Sequence, residues 1–353
     1  MRHSVRVGRS TRLRASGPGD EADAVRRLAI IGGGAWGTAL SIVALRAGSM
    51  PVLWARDRNV VAAINERHEN SFLLPGVPLD PAIVATSDID RATDRAEAAL
   101  LVVPAQFLRG VIETLRPSLP TGFPVLHCAK GLEAGSLETM SEISAELLPN
   151  SPCAVLSGPT FAAEVARDLP TAVTIASRDA ALGRAFVTAL GSSRFRPYLS
   201  DDPTGAEMGG AVKNVLAIAC GIVLGRGLGE NARASLITRG LAEMIRLGRA
   251  KGGRLETFGG LSGLGDLVLT CSTAQSRNYA LGLALGRGND LGVALAGSRS
   301  VVEGVATAAA VARLARRLAI EMPISEAVEA VLHRGAAIDA MIDDLLRRPY
   351  RSE

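Results

Sequence analysis

Lys213 is the residue whose surroundings most clearly suggest chemistry. It lies in the stretch GAEMGGAVKNVLAIACG, residues 205–221, whose small and apolar residues predict a buried helix. Desolvating an uncompensated ammonium group is costly, so this lysine either extends to the surface or has a function. The small neighbours Gly209, Gly210 and Gly221 favour a function, because they let another backbone segment or a ligand approach closely. An ammonium group could stabilise and protonate an oxygen atom on which negative charge develops.

The glycine-rich stretch LAIIGGGAWGTAL is a second candidate site. Gly32, Gly34 and Gly37 have the spacing G-x-G-x-x-G, directly after a predicted buried strand and at the start of a predicted helix. Such glycines allow a tight turn, a close approach to a pyrophosphate and packing of the helix on the strand. A glycine-rich turn is often only a turn, but in this strand-then-helix context it predicts dinucleotide binding.

The end of the second predicted strand bears on which dinucleotide binds. Arg56, in LWARD, lies roughly 20 residues beyond the glycines, where NAD enzymes usually place an acidic residue on the ribose 2′-hydroxyl. A guanidinium group suits a 2′-phosphate instead, so the sequence favours NADP(H), with NAD as the alternative because Asp57 is adjacent. Arg56 could also be an ordinary surface arginine at an exposed strand end.

Two regions with different patterns must position these residues. From about residue 28 onward, short apolar runs such as LAII and VLWA alternate with amphipathic stretches, which predicts a parallel sheet covered by helices on both faces. Past residue 203, alanine, leucine, arginine and glycine dominate, with apolar residues at helical spacing. We therefore predict an α/β fold, with a doubly wound, Rossmann-type N-terminal domain over residues 26–203 and an all-α C-terminal domain over 204–353.

Composition and charge argue against nucleic-acid binding. The chain has 353 residues and a formal net charge of +4, but five arginines within the first 14 residues have no acidic neighbours. The remainder is close to neutral, whereas a nucleic-acid binder carries a clustered basic surface. Residues 1–25 superficially resemble a transit peptide, and we predict instead a basic, disordered extension.

Neither a metal site nor a membrane span is expected. The four cysteines and four histidines are scattered and form no CxxC pair, which fits a reducing cytoplasm. The apolar run Val215–Leu224 is shorter than the roughly 18 residues that a span needs. The sequence therefore predicts a cytoplasmic protein with no stable membrane insertion, whose helical region offers surface for a homodimer.

A series of longer motifs adds a family resemblance. The motifs CAKGLE, LSGPTFAAEVA, GAEMGGAVKNVLAIACG, GLGENARASLITRGLAEMIRLG and TFGGLSGLGDLVLTCSTAQSRNYALG follow one another in this order. In order and spacing they closely resemble the bacterial NAD(P)-dependent glycerol-3-phosphate dehydrogenases, over roughly residues 27 to 340. The resemblance implies interconversion of sn-glycerol 3-phosphate and dihydroxyacetone phosphate with NADPH or NADH, for glycerophospholipid synthesis, and implies no metal.

The resemblance also implies roles for individual residues. Lys213 matches the catalytic lysine, which accepts a proton in the oxidation and donates one in the reduction. Lys130 matches a lysine that reaches both substrate and cofactor. Further substrate positions are Gly158, Thr160, Asp266, Ser276, Arg277 and Asn278, with Arg277 also near the cofactor. Further cofactor positions are Ala35, Trp36, Ala162, Val301 and Glu303.

Two positions leave questions open. Asp266 could orient Lys213, bond a substrate hydroxyl or cap the helix that begins near LVLTC. Ala105, in VPAQF, stands where family members commonly have a serine, so a hydroxyl contact with the cofactor is expected to be missing, with a modest effect on cofactor affinity.

Two rival functions are a related reductase for another acid or imine, and a non-catalytic dinucleotide sensor. The phosphate-binding motifs SRN and GLGD speak against the first rival. The retained Lys213, Lys130 and Asp266 speak against the second.

Overall fold

The computed structural model describes residues 25–296 and 301–349. The predicted extension, residues 1–25, lies outside the described residues except for Val25, so its disorder stays a prediction.

The N-terminal part of the chain is built on one sheet. Its strands are β1 Arg27–Ile31, β2 Met50–Trp54, β3 Val84–Thr86, β4 Ala98–Leu101, β5 Val125–His127, β6 Cys153–Ser157, β7 Thr171–Ala176 and β8 Phe195–Ser200. Within the described residues these eight strands have the order β3-β2-β1-β4-β5-β6-β7-β8. The chain starts in the middle, winds outward to β3 and then returns to the other side. This confirms the doubly wound α/β prediction.

One pairing departs from the predicted parallel sheet. β7 runs antiparallel to β6, with Leu156 opposite Ile175, while β8 is again parallel to β7. The helix between β6 and β7, Ala162–Ala166, has five residues. The helix Ile89–Thr93 is equally short yet links the parallel strands β3 and β4, so helix length alone does not set the strand direction. Between β6 and β7 the chain turns round instead of crossing over.

Helices cover both faces of the sheet, and alternate strand residues enter different cores. Leu28 and Ile30 of β1 pack in one core, whereas Ala29 and Ile31 pack in the other. This is the period of two expected for a strand buried on both faces. The helices of this region are α1 Ala35–Arg46, α2 Arg58–Arg67, α3 Ile89–Thr93, α4 Leu108–Leu115, α5 Met140–Leu147, α6 Ala162–Ala166 and α7 Ala180–Leu190.

The rest of the described chain is helical. The helices are α8 Pro203–Gly225, α9 Gly229–Ala250, α10 Leu255–Gly259, α11 Asp266–Thr270, α12 Arg277–Gly286, α13 Leu291–Ala296, α14 Glu303–Arg317, α15 Pro323–Arg334 and α16 Ile338–Leu346. A π-helical segment, Leu261–Gly265, precedes α11. The sheet ends at Ser200 and α8 begins at Pro203, with Asp202 capping it through Gly205 N. The predicted domain limits of 26–203 and 204–353 stay predictions.

The central helix of this region is α8, which contacts α9, α12, α14 and α15. Its glycines Gly221 and Gly225 lie so close to α12 that a Cβ atom on either would overlap the α12 backbone. By length and composition α8 could cross a membrane, so the sequence argument from Val215–Leu224 underestimated it. However, 89% of its apolar window is buried within the protein, which makes α8 a core helix.

Candidate active site

The glycine turn after β1 combines two glycines that the fold requires with one that leaves space. Gly32 has φ +136°, and a Cβ atom there would lie 2.8 Å from the carbonyl group of Val102. A Cβ atom on Gly37 would overlap the carbonyl oxygen of Gly32. At Gly34, the N-cap of α1, a Cβ atom would meet nothing within 4 Å in the described residues. The helix N-terminus therefore borders open space, which fits the approach of a pyrophosphate.

The remaining nucleotide candidates near this turn are Ala35, Trp36 and Arg56. Ala35 and Trp36 open α1, and Trp36 Nε1 is buried without a hydrogen-bond partner among the described residues. Arg56 is exposed just past β2, while the Asp57 carboxylate accepts a hydrogen bond from Asn59 N at 2.8 Å and caps α2. The cap uses one oxygen of the Asp57 carboxylate, so Arg56 and Asp57 both stay candidates for a contact with the ribose.

Lys213 is held inside the protein by a carboxylate. Its Nζ atom donates to Asp266 Oδ1 at 2.6 Å and to Thr270 Oγ1 at 2.9 Å, and the residue is only 7% exposed. The other carboxylate oxygen, Asp266 Oδ2, accepts from Lys130 Nζ at 2.6 Å. Two ammonium groups thus share one buried carboxylate, which leaves one positive charge uncompensated among these three side chains. This answers why a lysine is tolerated in a buried helix.

Burial and charge shift the protonation of this group in opposite directions. Burial lowers the pKa of Lys213 to about 8; Asp266 opposes the decrease, and the Lys130 charge reinforces it. Burial alone would raise the pKa of Asp266, but the two ammonium groups outweigh it and hold that pKa below its usual value. Lys213 can therefore exchange a proton near neutral pH while Asp266 stays ionised.

The position of Asp266 decides between the alternatives of the sequence analysis. Asp266 is the first residue of α11, and its carboxylate accepts hydrogen bonds from Lys213, Lys130 and the Thr270 hydroxyl at 3.2 Å. Gly265 occupies the N-cap position. The helix-capping alternative is therefore wrong, and the contact by which Asp266 orients Lys213 is present. The bond from Asp266 to a substrate hydroxyl stays a prediction.

Lys130 is anchored from the sheet side. Its Nζ atom also donates to the carbonyl oxygen of Gly158 at 2.7 Å and to Thr160 Oγ1 at 3.4 Å. Gly158 follows β6 with φ +138°, in a region that L side chains rarely adopt, and a Cβ atom there would lie 3.1 Å from Val173 Cα. Ala162 opens α6 shortly beyond. The predicted residues Lys130, Gly158, Thr160, Lys213 and Asp266 thus form one contact network.

The SRN motif joins this network through a buried amide pair. Asn278 Nδ2 donates to Asn214 Oδ1 at 2.9 Å, and Asn214 Nδ2 donates to the carbonyl oxygen of Lys130 at 3.2 Å. Gly304 N donates to Asn278 Oδ1 at 3.0 Å, which ties the start of α14 to α12. Ser276 caps α12 by accepting from Tyr279 N at 3.3 Å. The motif therefore lies at a helix N-terminus next to the lysines, where an anion is favoured.

The late cofactor candidates lie beside the same motif. Arg277 Nη1 donates to the carbonyl oxygen of Val301 at 3.0 Å. Glu303 accepts a hydrogen bond from Ala105 N at 3.4 Å. Burial raises the pKa of Glu303, and the charge of Arg277 opposes that rise. Ala105, the position where family members commonly have a serine, is 2% exposed. It therefore lies directly against Glu303, a candidate cofactor residue.

Sequence reasoning missed two residues of this network, Asn214 and Thr270. Asn214 directly follows Lys213, and Thr270 lies four residues after Asp266 on the same face of α11. Spacing alone was thus a usable signal for Thr270. Arg56 is exposed two residues past the end of β2 and is not part of this hydrogen-bond network as the structure describes it.

The fold and the site together define a class of protein, a dinucleotide-dependent dehydrogenase. The family model of the NAD-dependent glycerol-3-phosphate dehydrogenase N-terminus matches residues 27–183, and that of the C-terminus matches residues 202–343. The chain belongs to the family of NAD-dependent glycerol-3-phosphate dehydrogenases, as the sequence resemblance predicted.

Individual relatives are similar over nearly their whole length. A glycerol-3-phosphate dehydrogenase [NAD(P)+] of Rhodospirillum rubrum is 57% identical over 93% of this chain and 94% of the relative. One of Caulobacter vibrioides is 56% identical over 93% of this chain and 98% of the relative.

Solved structures agree with this assignment. The crystal structure of glycerol-3-phosphate dehydrogenase from Coxiella burnetii has a TM-score of 0.89 and 40% identity, covering 92% of this chain and 99% of that one. A PanE/ApbA family ketopantoate reductase from Ralstonia eutropha has a TM-score of 0.55 and 19% identity, covering 91% of this chain and 100% of that one. The second likeness shows a shared fold alone.

Proposed function

We propose that this protein catalyses reversible hydride transfer between NAD(P)H and dihydroxyacetone phosphate, giving sn-glycerol 3-phosphate. The observation that carries the proposal is the buried Lys213, whose Nζ lies 2.6 Å from Asp266 Oδ1 while Lys130 holds the other carboxylate oxygen. Family membership supplies the substrate class, and this arrangement supplies a proton donor with a pKa of about 8.

Lys213 acts on the oxygen attached to substrate C2. The bound nicotinamide supplies the hydride in the reduction and accepts it in the oxidation. In the reduction, the Lys213 ammonium group donates a hydrogen bond to the ketone oxygen and then its proton as negative charge develops there. In the oxidation, neutral Lys213 accepts the hydroxyl proton. A pKa of about 8 keeps both protonation states accessible near neutral pH.

Asp266 and Lys130 prepare that proton transfer. The Asp266 carboxylate fixes the direction of the Lys213 side chain, and the Thr270 hydroxyl accepts a second hydrogen bond from the same ammonium group. Lys130, held on the Gly158 carbonyl, adds the second positive charge. The family resemblance assigns it contacts with both substrate and cofactor. Its charge keeps Lys213 readier to release a proton.

The substrate phosphate is assigned to the N-terminus of α12. Arg277 offers a planar fork of donors, and Ser276 and Asn278 flank it at the start of the helix. With Gly158 and Thr160 near Lys130, these residues bracket the lysine network. The uncompensated positive charge of the network attracts the same anion.

The cofactor is assigned to the glycine turn and to the start of α14. Gly32, Gly34 and Gly37 let the backbone approach the pyrophosphate, with contacts from Ala35, Trp36, Ala162, Lys130, Arg277, Val301 and Glu303. Arg56 favours NADPH over NADH through the 2′-phosphate.

The broader setting follows from this assignment. We assign residues 26–203 to the dinucleotide-binding domain and residues 204–353 to the substrate domain. The protein is a small-molecule enzyme that works in the cytoplasm, where its product enters glycerophospholipid synthesis. A homodimer through the helical region is expected, and size-exclusion chromatography with light scattering tests it.

The test is the oxidation of NADPH and, separately, of NADH after addition of dihydroxyacetone phosphate to the purified protein. We expect turnover with both, with NADPH equal or better. Arg56→Ala should raise the KM for NADPH about tenfold, because it removes a charged partner of the 2′-phosphate, and should leave the KM for NADH nearly unchanged. Binding of nucleotide without turnover would instead favour the sensor.

A further inference from the structure

Gly210 is a glycine in the interior of a long buried helix, three residues before Lys213. Glycine destabilises a helix interior relative to alanine, because it loses more backbone freedom on folding. A neighbouring contact that alanine would disturb accounts for such a residue.

The surroundings of Gly210 identify that contact. A Cβ atom on Gly210 would lie 3.1 Å from Ser157 Oγ, 3.3 Å from Lys130 Cγ and 3.6 Å from Lys130 Cβ. The first two distances are shorter than most van der Waals contacts of a Cβ atom. Helix α8 therefore packs directly against the aliphatic part of the Lys130 side chain, with no methyl group between them.

The adjacent Gly209 serves a different purpose. A Cβ atom on Gly209 would overlap the carbonyl oxygen of Ser262 and lie 3.3 Å from Gly263 Cα, both in the π-helical segment before Asp266. Gly209 is therefore required by a backbone contact, whereas Gly210 faces side chains alone among its three nearest contacts. Of those side chains, Ser157 Oγ is buried and has no hydrogen-bond partner in the part of the chain that the structure describes. Nothing in the hydrogen bonding of Ser157 thus calls for a glycine at position 210.

We propose that Gly210 is a positioning residue for Lys130. Because Gly210 has no side chain, Lys130 can lie against α8 and reach Asp266 Oδ2 and the Gly158 carbonyl. The Nζ atom makes these two contacts at 2.6 and 2.7 Å, so a displacement of a few tenths of an ångström in the stem disturbs both. This inference rests on the proposed function, because Lys130 is a substrate-site residue only if that function holds.

Gly210→Ala is the direct test. Alanine is the better helix former, so the melting temperature of the variant should stay within about 4 °C of the parent or rise. We expect kcat/KM for dihydroxyacetone phosphate to fall about tenfold, because misplacing a group by a fraction of an ångström is costly in catalysis. The high-pH limb of kcat/KM should also move to higher pH, because the Lys130 charge that lowers the pKa of Lys213 has moved away.

Two further variants separate positioning from stability. Gly110→Ala is the matched control, since Gly110 is in α4 and a Cβ atom there would meet nothing within 4 Å among the described residues. It should raise the melting temperature slightly and leave kcat/KM within about twofold. Ser157→Ala in the Gly210→Ala background removes the nearer obstacle, so the methyl group can move away from Lys130. The kcat/KM of the double variant should be at least about threefold higher than that of Gly210→Ala alone.

The outcomes are distinct from a failure of the proposed function. If the parent protein does not turn over dihydroxyacetone phosphate, the function fails and Lys130 has no reaction to serve. If the parent turns over and Gly210→Ala keeps its kcat/KM within about twofold with an unmoved pH limb, the positioning role is overturned. A loss of activity together with a large loss of melting temperature, not rescued by Ser157→Ala, would overturn it as well.

Discussion

Two ionic clusters in this molecule have opposite composition. In one, Asp266 is shared by Lys130 and Lys213, and its side chain is 1% exposed. In the other, Arg109 is shared by Glu133, Glu138 and Glu146 at 2.8 to 3.0 Å, and its side chain is 25% exposed. The buried cluster has too few negative charges and the outer cluster has too many.

The difference teaches what each cluster can do. An excess of negative charge at the surface is stabilised by water and ions, so the Arg109 cluster ties the segment after Gly131 to α4 and α5 at little cost. An excess of positive charge in the interior has no such solvent, and an anionic ligand would neutralise it. The buried cluster is therefore suited to a phosphate substrate and the outer cluster to holding the structure.

Lys213→Met should give the largest effect. The reduction loses its proton donor, so kcat should fall about a thousandfold. The fold should survive, because Asp266 keeps Lys130 as a partner and methionine fills a similar volume. The measurement is NADPH oxidation alongside a thermal melt. Lys251→Met is the matched control, because Lys251, at the end of α9, pairs with Glu142 of α5. This variant should keep the activity of the parent protein.

Asp266→Asn should come next. It leaves two ammonium groups without their shared carboxylate, so kcat/KM should fall several hundredfold and the free energy of unfolding by about 3 kcal/mol. Because the Asp266 charge raises the pKa of Lys213, its loss lowers that pKa. The high-pH limb of the reduction therefore moves to lower pH. A high-pH limb that does not move in Asp266→Asn would contradict the account. The control is Asp201→Asn, a change of an exposed aspartate.

Lys130→Ala shifts the same limb the opposite way. The Lys130 charge lowers the pKa of Lys213, so its removal raises that pKa and moves the limb to higher pH. We expect kcat/KM to fall about a hundredfold as well, since the substrate loses a charged contact. Profiles of the two variants that shift in the same direction would show that Asp266 and Lys130 do not act on Lys213 with opposite sign.

Arg109→Gln should give the smallest effect and sharpen the contrast. The partly exposed cluster should lose about 1 kcal/mol of unfolding free energy, because salt bridges near water contribute little. Urea unfolding measures this loss, and kcat/KM should stay within about twofold. A large loss of activity would mean that the outer cluster also positions the substrate site.

Elements with strong local patterns were predictable from the sequence. β1 and the start of α1 carry their own signal in LAIIGGGAWG, and the buried helix α8 follows from its apolar run. The sequence analysis named no strand at β3 or β8, which lie at the two edges of the sheet. β3 has only three residues, and five of the six residues of β8 are partly or fully exposed, so both strands are weakly patterned. The antiparallel pairing of β7 with β6 depends on how the chain packs after β6, and the sequence analysis found no signal for it.

The sequence named most residues of the lysine network but not their geometry. Lys213 stood out by its surroundings, Lys130 and Asp266 came from the family resemblance, and nothing in their spacing shows that one carboxylate binds both lysines. Lys213 lies 53 positions before Asp266 in the chain and Lys130 lies 136 positions before it. Their shared contact therefore depends on how the helices pack on the sheet. The same long-range packing brings Asn214 against Asn278 and places Ala105 beside Glu303.

The most direct test of the central claim is the pH dependence of kcat/KM for dihydroxyacetone phosphate with NADPH, from neutral pH to about pH 10. The account predicts turnover that declines along a limb near pH 8, as the Lys213 ammonium group loses its proton. That limb should move up in Lys130→Ala and down in Asp266→Asn. A rate that is flat across this range, or a limb that neither substitution moves, would contradict the assignment of Lys213 as the proton donor.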